Sequence, residues 1–134
     1  MFGGKPRVEV TESQGIEVIY IDGKPLLAKL HEILVPTLIF DAVLALFPKI
    51  VVNMGAVPYV CNGADVMAPG VVRIEGDFKK DDFLLIIDER YGKSLGIGTS
   101  LFDSQTMKGL KQGKVAKNIH YVGDKLWNFI KKMV

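Results

Sequence analysis

Residues 62–71 read NGADVMAPGV, and this segment is the most informative part of the sequence about the fold. Residues 55–63 predict a short helix, because Pro58 is tolerated in a first helical turn and Gly63 suits the left-handed conformation that ends a helix. Pro69-Gly70 then predicts a turn, and the β-branched residues that follow predict a strand. This region therefore predicts a helix, a turn and a strand in close succession.

Residues 49–134 predict several short strands with two small helices between them, a pattern that suits a small β-barrel better than βαβ units. The continuous apolar run at residues 83–87 predicts a buried strand. Further predicted elements are strands at 49–53, 95–99 and 114–122, a helix from Asp103 or Ser104 to Leu110, and a last helix at 124–134. The expected class is mainly β with α+β.

Residues 1–48 predict a separate, small α+β unit. A β-hairpin is expected at residues 16–30, because Asp22-Gly23 is a strong tight-turn signal between two strand-like runs. Thr37 is predicted to be the N-cap of a helix that Pro48 ends. Nearly every position of this helix is apolar, so we expect it to be buried on several sides.

The charge of the chain is unevenly spread. Residues 1–48 carry four basic and six acidic side chains, whereas residues 104–134 carry seven lysines and one acid, Asp124. Such an asymmetry favours an anionic partner for the C-terminal part. A solvated lysine face that serves only solubility is an equally good interpretation of charge alone.

Cysteine count and hydropathy exclude several classes of protein. Cys61 is the only cysteine, which excludes an internal disulfide framework and fits a reducing compartment. The longest apolar region, residues 33–47, falls short of the ~20 residues that span a bilayer. No secretory signal is visible at the N-terminus. The chain is therefore expected to be cytoplasmic and not membrane-bound.

No convergent catalytic set is visible. Cys61 with His31 or His120 would be a thiol and base, but Cys61 lies in an apolar segment where free cysteine usually behaves as a small buried hydrophobe. These residues lack metal-ligand spacing. Gly96-Ile97-Gly98 lacks the third glycine and the helix of a dinucleotide site. We therefore expect no enzyme activity, no cofactor and no metal.

Four motifs in order resemble the PUA domain, the module shared by pseudouridine synthases and archaeosine transglycosylases. They are Gly55-Ala56 with residues 62–71, then residues 78–83, then Leu95-Gly96-Ile97-Gly98, and then residues 113–116 with 118–127. Together they cover nearly all of residues 49–127. The resemblance implies a PUA-type pseudobarrel at 49–134, preceded by a small α+β N-terminal domain at 1–48.

The ending Ile119-His120-Tyr121-x-x-Asp124-x-Leu126-Trp127 is similar to that of the malignant-T-cell-amplified-sequence group and its archaeal relatives. This resemblance implies a role with the small ribosomal subunit, in tRNA handling, re-initiation or recycling. One departure is Asp81, which stands where the family usually has glycine. The N-terminal unit also looks short for this group.

The resemblance implies an RNA groove beside the first helix of the barrel and the strand after it. Glycines there allow a sugar-phosphate backbone to approach closely, and alanines keep the surface low. Met67 and Pro69 are suited to pack against a base or ribose. The candidates are Gly55, Ala56, Gly63, Ala64, Met67, Pro69 and Gly70. The alternative is that the glycines serve only turns and caps, which we expect at least of Gly63.

Basic and aromatic side chains are further candidates. The predicted phosphate contacts are Lys79, Lys80, Lys111, Lys114 and Lys117, although we expect no more than half of them to touch RNA. His120 is suited to bind a base or a 2′-hydroxyl, or else to bond a carbonyl inside the barrel. Tyr121 is expected to pack in the barrel, and Trp127 to close it.

The sequence therefore predicts an RNA-binding protein for tRNA or small-subunit rRNA, in initiation, re-initiation or recycling of translation. The partners implied are structured RNA, the small ribosomal subunit and a translation factor. Two alternatives stay open. The chain is either a protein–protein adaptor that docks on the ribosome, or an accessory RNA-binding subunit of an RNA-modification system.

Overall fold

The computed structural model describes residues 4–133, which divide into two compact units. Within the described residues, the N-terminal unit comprises residues 4–46 and 125–133, and the central unit comprises residues 47–124. Along the chain, the first division falls between residues 46 and 47. The C-terminal helix, however, groups with the N-terminal unit and not with the barrel to which the sequence assigned it.

The N-terminal unit contains a four-stranded antiparallel sheet of order β1-β2-β3-β4. Its elements are β1 (Val8–Ser13), β2 (Ile16–Ile21), β3 (Lys24–Leu30), β4 (Ile33–Pro36), the short helix α1 (Asp41–Leu44) and, from the other end of the chain, α4 (Lys125–Met133). The predicted β-hairpin is confirmed. Asp22 and Gly23 both have positive φ, at 51° and 82°. A two-residue hairpin turn needs positive φ at both residues if its twist is to match that of the flanking strands.

The predicted helix from Thr37 to Pro48 is wrong in extent. The Thr37 side chain is buried, and its hydroxyl donates to the Pro25 carbonyl at 2.8 Å, so Thr37 extends the sheet and caps no helix. Only α1 is helical. Leu46 is 79% exposed, so the segment is not buried on all sides. The apolar residues of this segment were a poor predictor of helix extent, because apolar side chains can be buried equally well from a strand.

The core of the N-terminal unit forms where α4 packs on the sheet. Leu126 and Ile130, one helical turn apart, are buried against Val18, Tyr20 and Ala28. Trp127 also packs against this core, and its ring lies 5.2 Å from the Lys131 ammonium. The prediction that Trp127 closes the barrel is therefore wrong, because an amphipathic helix buries its apolar face in whichever core is open to it.

The central unit is a six-stranded curled sheet of order β6-β10-β9-β8-β5-β7. Its strands are β5 (Lys49–Val52), β6 (Val66–Met67), β7 (Val71–Glu75), β8 (Phe83–Asp88), β9 (Ser94–Ser100) and β10 (Lys114–Tyr121), with helices α2 (Val57–Val60) and α3 (Ser104–Lys108). Single 3-10 turns lie at Met54–Ala56 and Ala68–Gly70. Pairing is antiparallel except between β5 and β8. The predicted pseudobarrel and its strands are confirmed. Of the two residues predicted to cap α3, Asp103 is the N-cap, and its side chain accepts from the Thr106 N–H.

The turn before β8 keeps its conformation without the expected glycine. Asp81 has φ 73°, in the left-handed region. Asp82 accepts a hydrogen bond from the Lys79 backbone N–H at 2.8 Å, and Phe78 is buried as the apolar anchor. Aspartate tolerates this backbone better than most residues, so the departure from glycine leaves the turn intact.

Candidate nucleic-acid interface

A shallow apolar groove of about 330 Å³ runs between α2 and the β6 segment of the central unit. Its lining residues are Asn53, Gly55, Ala56, Tyr59, Val60, Ala64, Asp65, Val66, Met67, Pro69 and Gly70. Six of the seven predicted groove residues are brought together here. The exception is Gly63.

Asn53 ties the two walls of the groove together. Its side chain accepts from the Ala56 backbone N–H at 2.9 Å and so caps the 3-10 turn before α2. The backbone N–H of Asn53 donates to the Gly70 carbonyl, at 2.9 Å, on the opposite wall. A Cβ at Gly70 would lie 3.3 Å from the Ala56 Cβ. Small residues at these two positions therefore let the walls approach each other and keep the floor low.

Gly63 serves the end of α2 and not the groove. Its φ is +91°, and a Cβ there would lie 3.0 Å from the Tyr121 hydroxyl oxygen. The residue is therefore required both by the left-handed backbone and by the packing of Tyr121. Gly63 therefore belongs to the end of α2, and the Tyr121 ring lies against it.

Two side chains rise from the groove into solvent. Tyr59 on α2 is 70% exposed and Met67 on β6 is 45% exposed. A large exposed aromatic ring beside an exposed thioether offers a stacking surface for a planar ring. Sequence reasoning missed Tyr59, although an aromatic residue in the first helix of the motif was the available signal.

Asn118 and Asp65 hold the groove to the sheet, and neither was predicted as a site residue. The Asn118 side-chain amide donates to the carbonyls of Val60 and Ala64, at 3.0 Å each. The Asn118 backbone N–H donates to the Asp65 carboxylate at 2.9 Å. This network fixes the loop after α2 against β10, so it positions the apolar wall that contains Ala64.

None of the five predicted lysines lines the groove. Lys114 contacts two residues of its lining: it pairs with Met67 across β10 and β6, and its ammonium lies 3.3 Å from the Asp65 carboxylate. This ion pair neutralises the acid that lines the groove. The other four predicted lysines, Lys79, Lys80, Lys111 and Lys117, are exposed but do not line it.

His120 is not available to RNA. Its side chain is fully buried, and its Nδ1 lies 2.8 Å from the Asp124 carboxylate oxygen, which also accepts from the Tyr121 N–H at 2.9 Å. The prediction that His120 contacts a base is therefore wrong. The pairing of β10 with β9 shifts register between Asn118 and His120, so the regular alternation of the strand does not predict which way His120 faces. Its imidazole bonds the carboxylate of Asp124 in the turn after β10.

The chemically reactive side chains of the chain lie apart from any catalytic or metal-binding arrangement within residues 4–133. Cys61 packs against the core of the central unit, and burial raises the pKa of its thiol. A raised pKa disfavours the thiolate, which is the reactive form. Across residues 4–133, no three metal-binding side chains of the His, Cys, Asp or Glu type cluster together. Nor does this part of the chain contain a helix long and apolar enough to cross a membrane.

Comparison with known proteins places these features in a family. The family model of the PUA domain matches residues 48–122. An uncharacterized protein of Methanocaldococcus jannaschii is 38% identical over 128 residues, which cover 93% of this chain and 78% of that protein. Translation machinery-associated protein 20 of Saccharomyces cerevisiae is 27% identical over 133 residues, covering 93% of this chain and 74% of the yeast protein.

The solved structures agree with the sequence comparisons. A PUA domain from Aeropyrum pernix matches with a TM-score of 0.87 at 25% identity, covering 98% of this chain and 78% of that one. The PUA domain is an RNA-binding module. The resemblance inferred from four sequence motifs is thus confirmed, and the chain belongs to the PUA domain family.

Proposed function

We propose that this protein binds tRNA or small-subunit rRNA through the groove between α2 and β6, in initiation, re-initiation or recycling of translation. The observation that carries the proposal is the convergence of six small or apolar residues on one groove, with Tyr59 and Met67 exposed at its edge. Single-stranded loops and ends of RNA are recognised by such stacking surfaces. The proposal involves no chemical step and no cofactor.

The lysines supply the part of affinity that does not depend on sequence. Lys114 stands at the groove edge, 62% exposed at its side chain, where it would hold a phosphate while still paired to Asp65. Lys79, Lys80, Lys111 and Lys117 would contact phosphates of RNA that extends beyond the groove. Each phosphate contact steepens the salt dependence by roughly 0.7–0.9 log units per log unit of salt.

The translation-related role rests on a relative and not on the groove. The yeast relative is named as a translation machinery-associated protein, and the match covers 93% of this chain. We extend that role to the present protein as part of the proposal, together with the small ribosomal subunit and a translation factor as partners. A cytoplasmic location follows from this role.

The test is a binding titration of bulk tRNA, small-subunit rRNA and duplex DNA across a salt series. We expect tight binding to one RNA class that persists at physiological salt, and weak binding to duplex DNA. If binding to all three nucleic acids disappears equally as salt rises, the interaction is non-specific electrostatic binding to a basic surface, which would contradict the proposal.

Tyr59→Ala tests the groove itself. Loss of one stacked base is expected to weaken RNA binding by about 1–3 kcal/mol. The matched control is Tyr91→Ala, because Tyr91 is 67% exposed and does not line the groove. Equal affinities for the two variants would place the RNA elsewhere.

A protein–protein adaptor is the second candidate, and one observation favours it. The β1–β4 sheet exposes Val8, Val10 and Leu34, at 58%, 59% and 53% of their surface. Val10 pairs with Ile19 across β1 and β2, and Leu34 with Lys29 across β3 and β4, so these side chains share one face of the sheet. An apolar face of this kind is suited to a protein partner.

The adaptor role predicts that ribosome association survives loss of the RNA groove. Tyr59→Ala and Val10→Glu would be compared by co-sedimentation with small ribosomal subunits. Association lost only with Val10→Glu would favour the adaptor, whereas association lost only with Tyr59→Ala would favour RNA recognition by the groove.

A further inference from the structure

The N-terminal unit contains a pocket of about 490 Å³ between the β1–β2 hairpin and α4. The hairpin contributes Ser13, Gln14, Ile16 and Val18, and the helix contributes Lys125, Leu126, Asn128, Phe129 and Lys132. All nine residues lie outside the PUA match at residues 48–122. The pocket is therefore separate from the groove discussed above.

The helix presents one face to this pocket. Residues 125, 128, 129 and 132 follow the spacing i, i+3, i+4 and i+7, which places them on one side of α4. Lys125 and Lys132 stand at the two ends of the face, about 10 Å apart along the axis at the usual helical rise. Phe129 lies between them and is partly buried against the N-terminal core.

The charge of the pocket has one sign. No acid is among its lining residues, whereas two of the nine are lysines. Glu12 and Glu17 are close in sequence, but they are Cα partners in the hairpin. Strand alternation places them on the face of the sheet opposite Ile16 and Val18. The two lysines therefore favour an anionic ligand, and the partly buried side chains of Ile16 and Phe129 in the lining favour an apolar or aromatic ring.

We infer that this pocket binds a single-stranded segment of RNA, as a second contact that rests on the proposed function of the groove. A base packs on Phe129 and Ile16, and Lys125 and Lys132 hold phosphates of the same strand. Positive side chains along a strand with an aromatic ring between them form the usual surface for single-stranded nucleic acid. The hydroxyl and amide of Ser13 and Gln14 at the rim are suited to the 2′-hydroxyl or a base edge.

The experiment is a titration of the full chain with a single-stranded octauridylate, followed by backbone amide resonances in NMR spectra. The test variant is Lys125→Glu with Lys132→Glu. The matched control is Lys5→Glu with Lys24→Glu, which changes the net charge equally at two exposed lysines of the same unit outside the pocket. Far-ultraviolet circular dichroism confirms that both variants fold.

We expect the amide resonances of residues 13–18 and 125–132 to shift as octauridylate is added, and the shifts to reach saturation. In the test variant these shifts are lost, and the slope of log affinity against log salt falls by about 1.4, for two phosphate contacts to a single strand. The control is expected to keep the shifts and most of that slope.

Three outcomes would overturn the inference. The first is an octauridylate affinity of the test variant equal to that of the control. The second is a set of shifts confined to the α2–β6 groove, which would leave the proposed function standing. The third is an equal response of the pocket to a polyglutamate peptide, which would assign it to acidic protein segments. Shifts at the pocket with none at the groove would instead support the inference and contradict the proposed groove.

Discussion

A Cβ on Gly98 would lie 2.6 Å from the carbonyl oxygen of Lys117, on the neighbouring strand β10. Two residues earlier, a Cβ on Gly96 would lie 2.9 Å from the carbonyl oxygen of His120. Real side chains do not approach backbone atoms that closely. Strand β9 therefore requires glycine at these two positions, where the backbone of the paired strand β10 comes close to it. The Gly-x-Gly of this strand is thus a packing requirement of the curled sheet.

Gly98→Ala is expected to destabilise the protein by about 1–3 kcal/mol, the usual cost of forcing an extra methyl group into a packed site. The measurement is the free energy of unfolding from urea titration. Gly109→Ala is the control, because a Cβ there meets only the Thr106 carbonyl at 3.6 Å. A control variant as unstable as Gly98→Ala would contradict the steric explanation.

Asp81 is the second backbone-dependent position, with φ 73°. Asp81→Val is expected to lower the free energy of unfolding by about 1–2 kcal/mol, because β-branched residues fit the left-handed region poorly. Asp81→Gly should stay within about 0.5 kcal/mol of the parent, since the strain that it relieves is offset by its greater freedom in the unfolded chain. Equal stability of the two variants would show that the turn does not depend on this φ.

Acid should destabilise the β8–β9 turn through Asp88. Its carboxylate accepts backbone N–H bonds from Tyr91, Arg90 and Lys93, and these bonds, that of Tyr91 foremost, lower the pKa of Asp88. A lowered folded-state pKa contributes stability that is present above the unfolded pKa of about 3.9 and is lost as pH falls through the folded value.

Asp88→Asn is therefore expected to lower stability at pH 7 and to reduce the loss of stability below about pH 4. Urea midpoints between pH 2.5 and pH 7 would measure both effects. Asp77→Asn, at an exposed carboxylate, is the control. A pH profile of Asp88→Asn parallel to that of the parent would remove Asp88 from the acid response.

Trp127 is the only tryptophan of the chain and packs in the N-terminal core, so its fluorescence reports on that unit. Ile130 is fully buried in the same core. Ile130→Ala is expected to lower the free energy of unfolding followed by tryptophan fluorescence by about 2–5 kcal/mol. Met133→Ala is the control, because Met133 is 53% exposed. An unchanged fluorescence transition in Ile130→Ala would contradict the packing of α4 on this sheet.

Much of the candidate site was predictable because it depends on neighbours in sequence. Glycine and proline at residues 55–70 determine local turns and caps, so the segments that form the groove walls were predictable. That these segments enclose a groove was implied by the resemblance to the PUA domain. The Asn118 network could not, since it joins residues more than fifty positions apart. A polar residue inside a strand pattern gives no indication of which distant carbonyls it will meet.

Local backbone preferences and strand alternation were enough to predict the hairpin at Asp22-Gly23 and most strands of the central unit. The motifs within residues 55–127 carried the resemblance to the PUA domain. Three features became visible in the folded chain alone: α4 packs on the N-terminal sheet, Thr37 bonds Pro25 and starts no helix, and His120 is buried. Each of these depends on which of several available surfaces a segment buries. That choice is made by contacts distant along the chain, and a local pattern of apolar and polar residues does not encode it.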